Sequence, residues 1–129
     1  VLLLSVVNPT EDVERVKVAF SNVFEDLRFE LLKEGDHEIL RAEAEGERGL
    51  AKLRSLLRQD RILAAARKVF LGGVRGSEIA FFLNKQVAYA GHVSFCRPRG
   101  ESPLGPIEAR ILTEDPVALI DWLAPRTYK

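Results

Sequence analysis

Three arginines in the middle of the chain, Arg54, Arg58 and Arg61, follow one another at spacings of four and three. On a continuous helix that spacing puts them on one face, and Lys68 falls on the same face. Planar guanidinium groups make paired hydrogen bonds to phosphate, so a basic stripe of this kind is the footprint of nucleic-acid binding. The competing reading is a solvated helix face. Arg75 lies in the run Gly72-Gly73-Val74-Arg75-Gly76. Backbone N–H groups in such a run can cradle phosphate, and a turn between helix and strand uses the same residues. Lys85, Arg97 and Arg99 complete the basic set expected to touch phosphate.

Other chemistry is thinly represented. His37 and His92 are the only histidines, and Cys96 is the only cysteine. One cysteine excludes an internal disulfide and any multi-cysteine metal site, and favours a reducing, cytoplasmic setting. No metalloprotease, phosphate-loop, serine-hydrolase or dinucleotide motif occurs. The acidic pairs Glu11-Asp12, Glu25-Asp26 and Glu114-Asp115 suit a two-carboxylate or magnesium site. They suit helix N-termini equally, where the dipole favours negative charge. Two tyrosines, one tryptophan and seven phenylalanines stand mostly at core-like positions and form no evident base-stacking platform. The expectation is therefore a protein without a catalytic centre, metal or cofactor.

Formal net charge is zero over 129 residues, which argues against a general polyanion binder. The total conceals two blocks. Residues 1–50 carry twelve acidic and six basic side chains, whereas residues 51–99 carry ten basic and only Asp60 and Glu78. At 47% apolar and 29% charged residues, the chain suits one core in one α+β domain spanning 1–129. The apolar opening, Val1–Val7, is far shorter than the roughly 20 residues of a membrane span and lacks the flanks of a signal peptide.

The elements that must position these residues follow from periodicity. Val1–Val7 reads as a central strand. Asn8-Pro9-Thr10-Glu11 has the residues of a capping box with proline at the first helical position, so a helix is expected from there, with Val13, Val16, Phe20 and Val23 on its apolar face. Leu27–Leu31 and Glu38–Glu45 alternate around Gly35-Asp36 and predict a hairpin. The apolar stripes Leu50–Leu57 and Leu63–Phe70 differ by roughly 150° at 100° per residue, which predicts a break near Gln59-Asp60 or one long helix with two packing partners. Gly72-Gly73 ends it. A strand follows over Ile79–Leu83, then a short helix capped by Asn84 and closed by Gly91, then a strand around Val93 and Phe95. Between Arg97 and Pro106 lie three of the six prolines, in a rigid loop before the strand Ile107–Leu112. Asp115-Pro116 starts the last helix and Pro125 ends it. Short-turn strands with helices gathered to one face predict a two-layer α+β sandwich with an antiparallel-rich sheet.

Several segments are also familiar together. Asn8-Pro9-Thr10-Glu11-Asp12 after an apolar strand, Arg58-Gln59-Asp60-Arg61-Ile62-Leu63 with Ala66-Arg67, and Glu101-Ser102-Pro103-Leu104-Gly105-Pro106-Ile107 ahead of Asp121-Trp122-Leu123-Ala124-Pro125 resemble the archaeal uncharacterised protein family 0201. That family is described as predicted RNA-binding proteins and is similar in fold to large-subunit ribosomal protein five. The resemblance implies a ribosomal-protein-five-like sandwich and structured RNA as partner, read by shape and backbone. The alternative expectation is a homodimeric interaction module without enzymatic activity, its acidic and basic halves pairing across subunits.

Overall fold

The apolar, β-branched residues of β1 (Leu2–Val7) occupy the middle of the sheet, where a strand is covered best. The computed structural model describes residues 1–97 and 105–126. Around β1 run α1 (Val13–Val23), the hairpin β2 (Arg28–Glu34) and β3 (His37–Glu43), and a 3-10 turn over Glu47–Leu50. Then come α2 (Ala51–Gln59), α3 (Leu63–Gly72), β4 (Val74–Arg75), β5 (Glu78–Asn84) and α4 (Lys85–Tyr89). β6 (Pro106–Leu112) and α5 (Pro116–Leu123) complete the described chain. The strand order is β2-β3-β1-β6-β5-β4, with every pairing antiparallel.

Alternation along the strands sorts the two faces of the sheet. Leu3, Val7, Leu40, Ala42, Ile79, Phe81, Leu83, Ile107, Ala109 and Ile111 are buried against Phe20, Val23, Leu53, Leu57, Phe70, Ile120 and Leu123 of the helices. This is the α+β sandwich with helices on one face that the periodicity predicts. Ser5 is the polar member of that inward row, and its hydroxyl donates to the Pro106 carbonyl at 3.2 Å. The outward face alternates charge with apolar groups. Leu4 stands between Arg41 and Glu108, and Leu2 between Glu43 and Arg110.

Two elements differ from expectation. The first helix begins at Val13, not beside Asn8. The capping-box partners do meet, since the Glu11 carboxylate accepts from the Asn8 backbone N–H at 3.0 Å and from Asn8 Nδ2 at 2.6 Å. They close a turn, with Glu11 N donating to Asn8 O at 2.9 Å, and Asp12 caps the helix by accepting from Glu14 N. The second is the strand expected around Val93 and Phe95, which is a single bridge from Phe95 to Leu83. β4 uses the near half of the outer edge of β5. The far half makes two bonds, Asn84 N to Ser94 O and Cys96 N to Phe82 O, too few for a ladder. Phe95 is held instead by its ring, at 5.5 Å from Phe70 and 5.9 Å from Phe81.

The break between the two middle helices is real. Arg61 adopts a left-handed φ of 57°, and Ile62 N reaches back to Leu57 O. At the far end Gly73 serves close approach. A Cβ there would lie 2.0 Å from the Ala80 carbonyl oxygen, so only glycine lets α3 turn directly onto β5.

Candidate nucleic-acid interface

The break decides the fate of the arginine stripe. Arg54 and Arg58 stay on α2, Arg61 sits in the junction, and Lys68 stands on α3. The first two turn toward the carboxyl end of α5. Arg54 Nε donates to Trp122 O at 3.0 Å, and its guanidinium lies 5.1 Å from the Trp122 ring centroid. Arg58 Nη1 donates to Leu123 O at 3.2 Å and to Arg54 O at 3.0 Å. Arg67 adds a third bond, Nη1 to Ala124 O at 3.2 Å, and pairs with Asp121 at 2.6 Å. Three successive carbonyls that the helix leaves unpaired are thus met by three arginines. Their charge also suits the negative end of the helix dipole. Burial, and secondarily the charge of Arg54, lowers the proton affinity of Arg58.

Lys85 is drawn further inward. It is 3% exposed, and its ammonium donates to Val6 O at 2.7 Å and to both Glu11 oxygens at 3.0 and 3.2 Å. Desolvation pushes the Lys85 pKa down, against the opposing pull of Glu11. Desolvation pushes Glu11 up, but the Asn8 backbone N–H, the Lys85 ammonium and the Asn8 amide outweigh it and hold the carboxyl below the usual range.

Arg61, Lys68 and Arg75 are exposed. Residues 61–77 contain no acidic side chain, and of their four bases only Arg67 has a carboxylate partner among the described residues. Arg75 folds back on the Gly72 and Val74 carbonyls at 3.3 and 2.7 Å, so the glycine run is a turn into the β4–β5 hairpin. α3 also starts without a side-chain cap or a first-turn acid, so its positive end adjoins Arg61 uncompensated. Arg97 is exposed, and Arg99 lies outside the described residues, as do residues 102–104 of the Ser102–Ile107 segment. The sheet order sets β4 and β5, on which α3 packs, at the end opposite the β2–β3 hairpin. The acid-rich β2–β3 hairpin of the first block and the acid-free α3 of the second therefore stand at opposite ends of the sheet, while Glu11 and Lys85 join the two blocks between them.

One member of each acidic pair has a structural partner. Asp12 and Asp115 cap α1 and α5, and Asp26 pairs with Arg48 at 3.0 Å. Asp60 accepts from Val93 N at 3.1 Å and meets His92 Nδ1 at 3.1 Å, which ties the α2–α3 junction to the segment after α4. Among the described residues no group of three His, Cys, Asp or Glu side chains gathers to hold a metal, and no helix is long and apolar enough to cross a membrane.

Sequence reasoning missed a cleft of about 400 Å³ between α1 and α4, lined by Thr10, Asp12, Arg15, Lys85, Gln86 and Tyr89 among others. Tyr89 is 46% exposed, in contrast to the core position expected of the aromatics, and Arg15 lies over its ring at 5.9 Å. The one available signal was Tyr89 standing two residues before Gly91, at the end of a short helix.

A family model described as RNA binding matches residues 1–111. A UPF0201 protein of Sulfolobus acidocaldarius is 45% identical over all of this chain and 89% of its own length. One from Thermococcus kodakarensis is 48% identical over 94% of this chain and 86% of its own. The crystal structure of a UPF0201 protein from Methanococcus jannaschii superimposes with a TM-score of 0.88 at 33% identity, covering 98% of this chain and 93% of the other. A DUF54 protein from Methanothermobacter thermautotrophicus shares the fold, with a TM-score of 0.65 at 19% identity over 95% of each chain.

Proposed function

The chain belongs to the archaeal UPF0201 family, and from that footing we propose that it binds structured RNA as one α+β domain, acting in the cytoplasm and catalysing no reaction. The contacts run to phosphates along the surface of α3 and its flanks, through Arg61, Lys68 and Arg75, with Arg97 and Arg99 extending the track. Arg54 and Arg58 shape this surface by fixing α5 beneath it and lend it their positive charge. Lys85 holds the fold from inside. The observation that carries the reading is the acid-free stretch 61–77, whose Arg61, Lys68 and Arg75 are exposed and have no carboxylate partner among the described residues. Cations left uncompensated on one surface release counterions when they meet a phosphate backbone, whatever its sequence.

Titration with transfer or ribosomal RNA across a salt series tests it. Affinity is expected to fall as salt rises, and Arg61→Ala or Lys68→Ala each to reduce the slope of log affinity against log salt by about one. A flat salt response, or charge reversal at Arg61 and Lys68 without loss, refutes it.

A second reading, homodimerisation, is favoured by β2. All seven of its residues are exposed, with Phe29, Leu31 and Leu32 at 36%, 45% and 38%. An uncovered edge strand of this kind pairs readily with another. A single monomeric species in sedimentation at high concentration removes that reading.

A further inference from the structure

The cleft between α1 and α4 lies outside the basic track, and the fold does not need it open. Its floor is the Lys85–Glu11 pair, in which the ammonium also donates to Val6 O and the carboxylate also accepts from Asn8. The groups above the floor are uncommitted. The Thr10 hydroxyl, the Gln86 amide and the Tyr89 hydroxyl make no hydrogen bond to the described residues, and the Arg15 guanidinium meets only the Tyr89 ring. Asp12 spends one oxygen on Glu14 N and keeps the other.

A concave site with an apolar wall and a few converging polar groups is the usual form of a ligand pocket, and about 400 Å³ lies in the ordinary range. The chemistry is specific in kind. An exposed ring offers a surface on which a planar aromatic partner can stack. A neighbouring amide and carboxylate oxygen suit the donor and acceptor edge of a nucleobase. A guanidinium without a carboxylate suits the phosphate attached to that base. The chain and one contact link the cleft to the basic track. Tyr89 is three residues from His92, whose ring meets Asp60, the residue before Arg61.

We propose that this cleft receives one unpaired nucleotide of a bound RNA strand, its base on Tyr89 and its phosphate against Arg15. Gln86 and Asp12 face the base edge. The assignment rests on the RNA-binding reading and adds a single-stranded element to it. A structured RNA would lie along α3 while a loop or terminal nucleotide enters here, as is usual where unpaired bases are read.

The test compares a blunt RNA hairpin with the same hairpin carrying a four-nucleotide single-stranded extension, by fluorescence anisotropy. The extension is expected to raise affinity roughly tenfold, the scale of one base–aromatic stack. Tyr89→Ala and Arg15→Ala are each expected to abolish that gain and leave blunt-hairpin affinity unchanged. Both side chains are exposed, and unchanged melting of the variants confirms their fold. No gain in the wild type, or a gain that survives both substitutions, overturns the proposal while leaving the phosphate track standing. Binding of the extended hairpin but not the blunt one supports the cleft and overturns the track. Failure of both hairpins overturns both. A free nucleoside monophosphate binding as tightly as the extended hairpin also overturns it, because the cleft would then serve a small ligand and not a strand.

Discussion

At the scale of single residues, the instructive pair is Glu11 and Lys85. By type and spacing Lys85 belongs with the surface cations. It is buried because Asn84 caps α4 and so turns the next side chain into the core, where Val6 O and Glu11 await it. No local pattern announces a partner 74 residues away in sequence. Removing the carboxylate leaves an ammonium buried without its counter-charge, so Glu11→Gln is expected to cost about 3 kcal/mol at neutral pH in urea denaturation. Adding Lys85→Met should recover part of that loss. The pH dependence has a definite sign. The carboxyl of Glu11 is held below its usual range, so its stabilisation is complete above that range and is lost as pH falls through it. The gap between wild type and Glu11→Gln should therefore narrow in acid. A gap that stays constant to low pH would contradict the pairing.

At the scale of elements, periodicity and capping residues carried most of the information. The β2–β3 hairpin, the split between α2 and α3, and the starts of α4 at Asn84 and α5 at Asp115 were all legible. What was not legible depends on neighbours. Asn8 and Glu11 have the right spacing for a cap, but Lys85 and the Asn8 amide claim the carboxylate, and the helix waits for Asp12. Phe95 has strand-like neighbours, but β4 has already taken half of the edge it needs. The arginine stripe misled for a related reason. Its spacing is helical, yet Arg54 and Arg58 face the end of α5, which no feature of residues 51–61 reveals. The three-arginine closure of α5 is expected to act mainly on that helix. Arg67→Ala, at a side chain 13% exposed, should lower stability by about 1–2 kcal/mol and speed amide exchange in 116–124 more than in β1. Equal acceleration throughout the sheet would mean that the arginine supports the core as a whole.

For the whole molecule, zero net charge proves to be an arrangement and not an absence. The acid-rich hairpin and the acid-free α3 stand at opposite ends of one sheet, so a long polyanion meets attraction at one end and repulsion at the other. On the proposed reading, that polarity orients an approaching RNA before any contact forms. The blocks were legible in the sequence. The placement of the hairpin and α3 at opposite ends was not, because it depends on strand order, in which the last strand is inserted between the first and the fifth.

That insertion has a temporal side. β1 pairs β3 through neighbouring chain, but its other edge bonds to residues 108–110 of β6. At about 5–20 residues per second of synthesis, the segment separating β3 from β6 takes several seconds to emerge. By the end of that interval the chain holds two half-sheets, β2-β3-β1 and β5-β4, and β6 joins the inner edge of one to the inner edge of the other. Sheets closed over such sequence distances fold slowly. Trp122, the one tryptophan, sits in α5 just behind that closing strand. In stopped-flow refolding its fluorescence should change after the far-ultraviolet dichroism of the half-sheets has developed. Coincident signals would show that the final strand joins at the start, with the chain condensing as a unit rather than being sealed last.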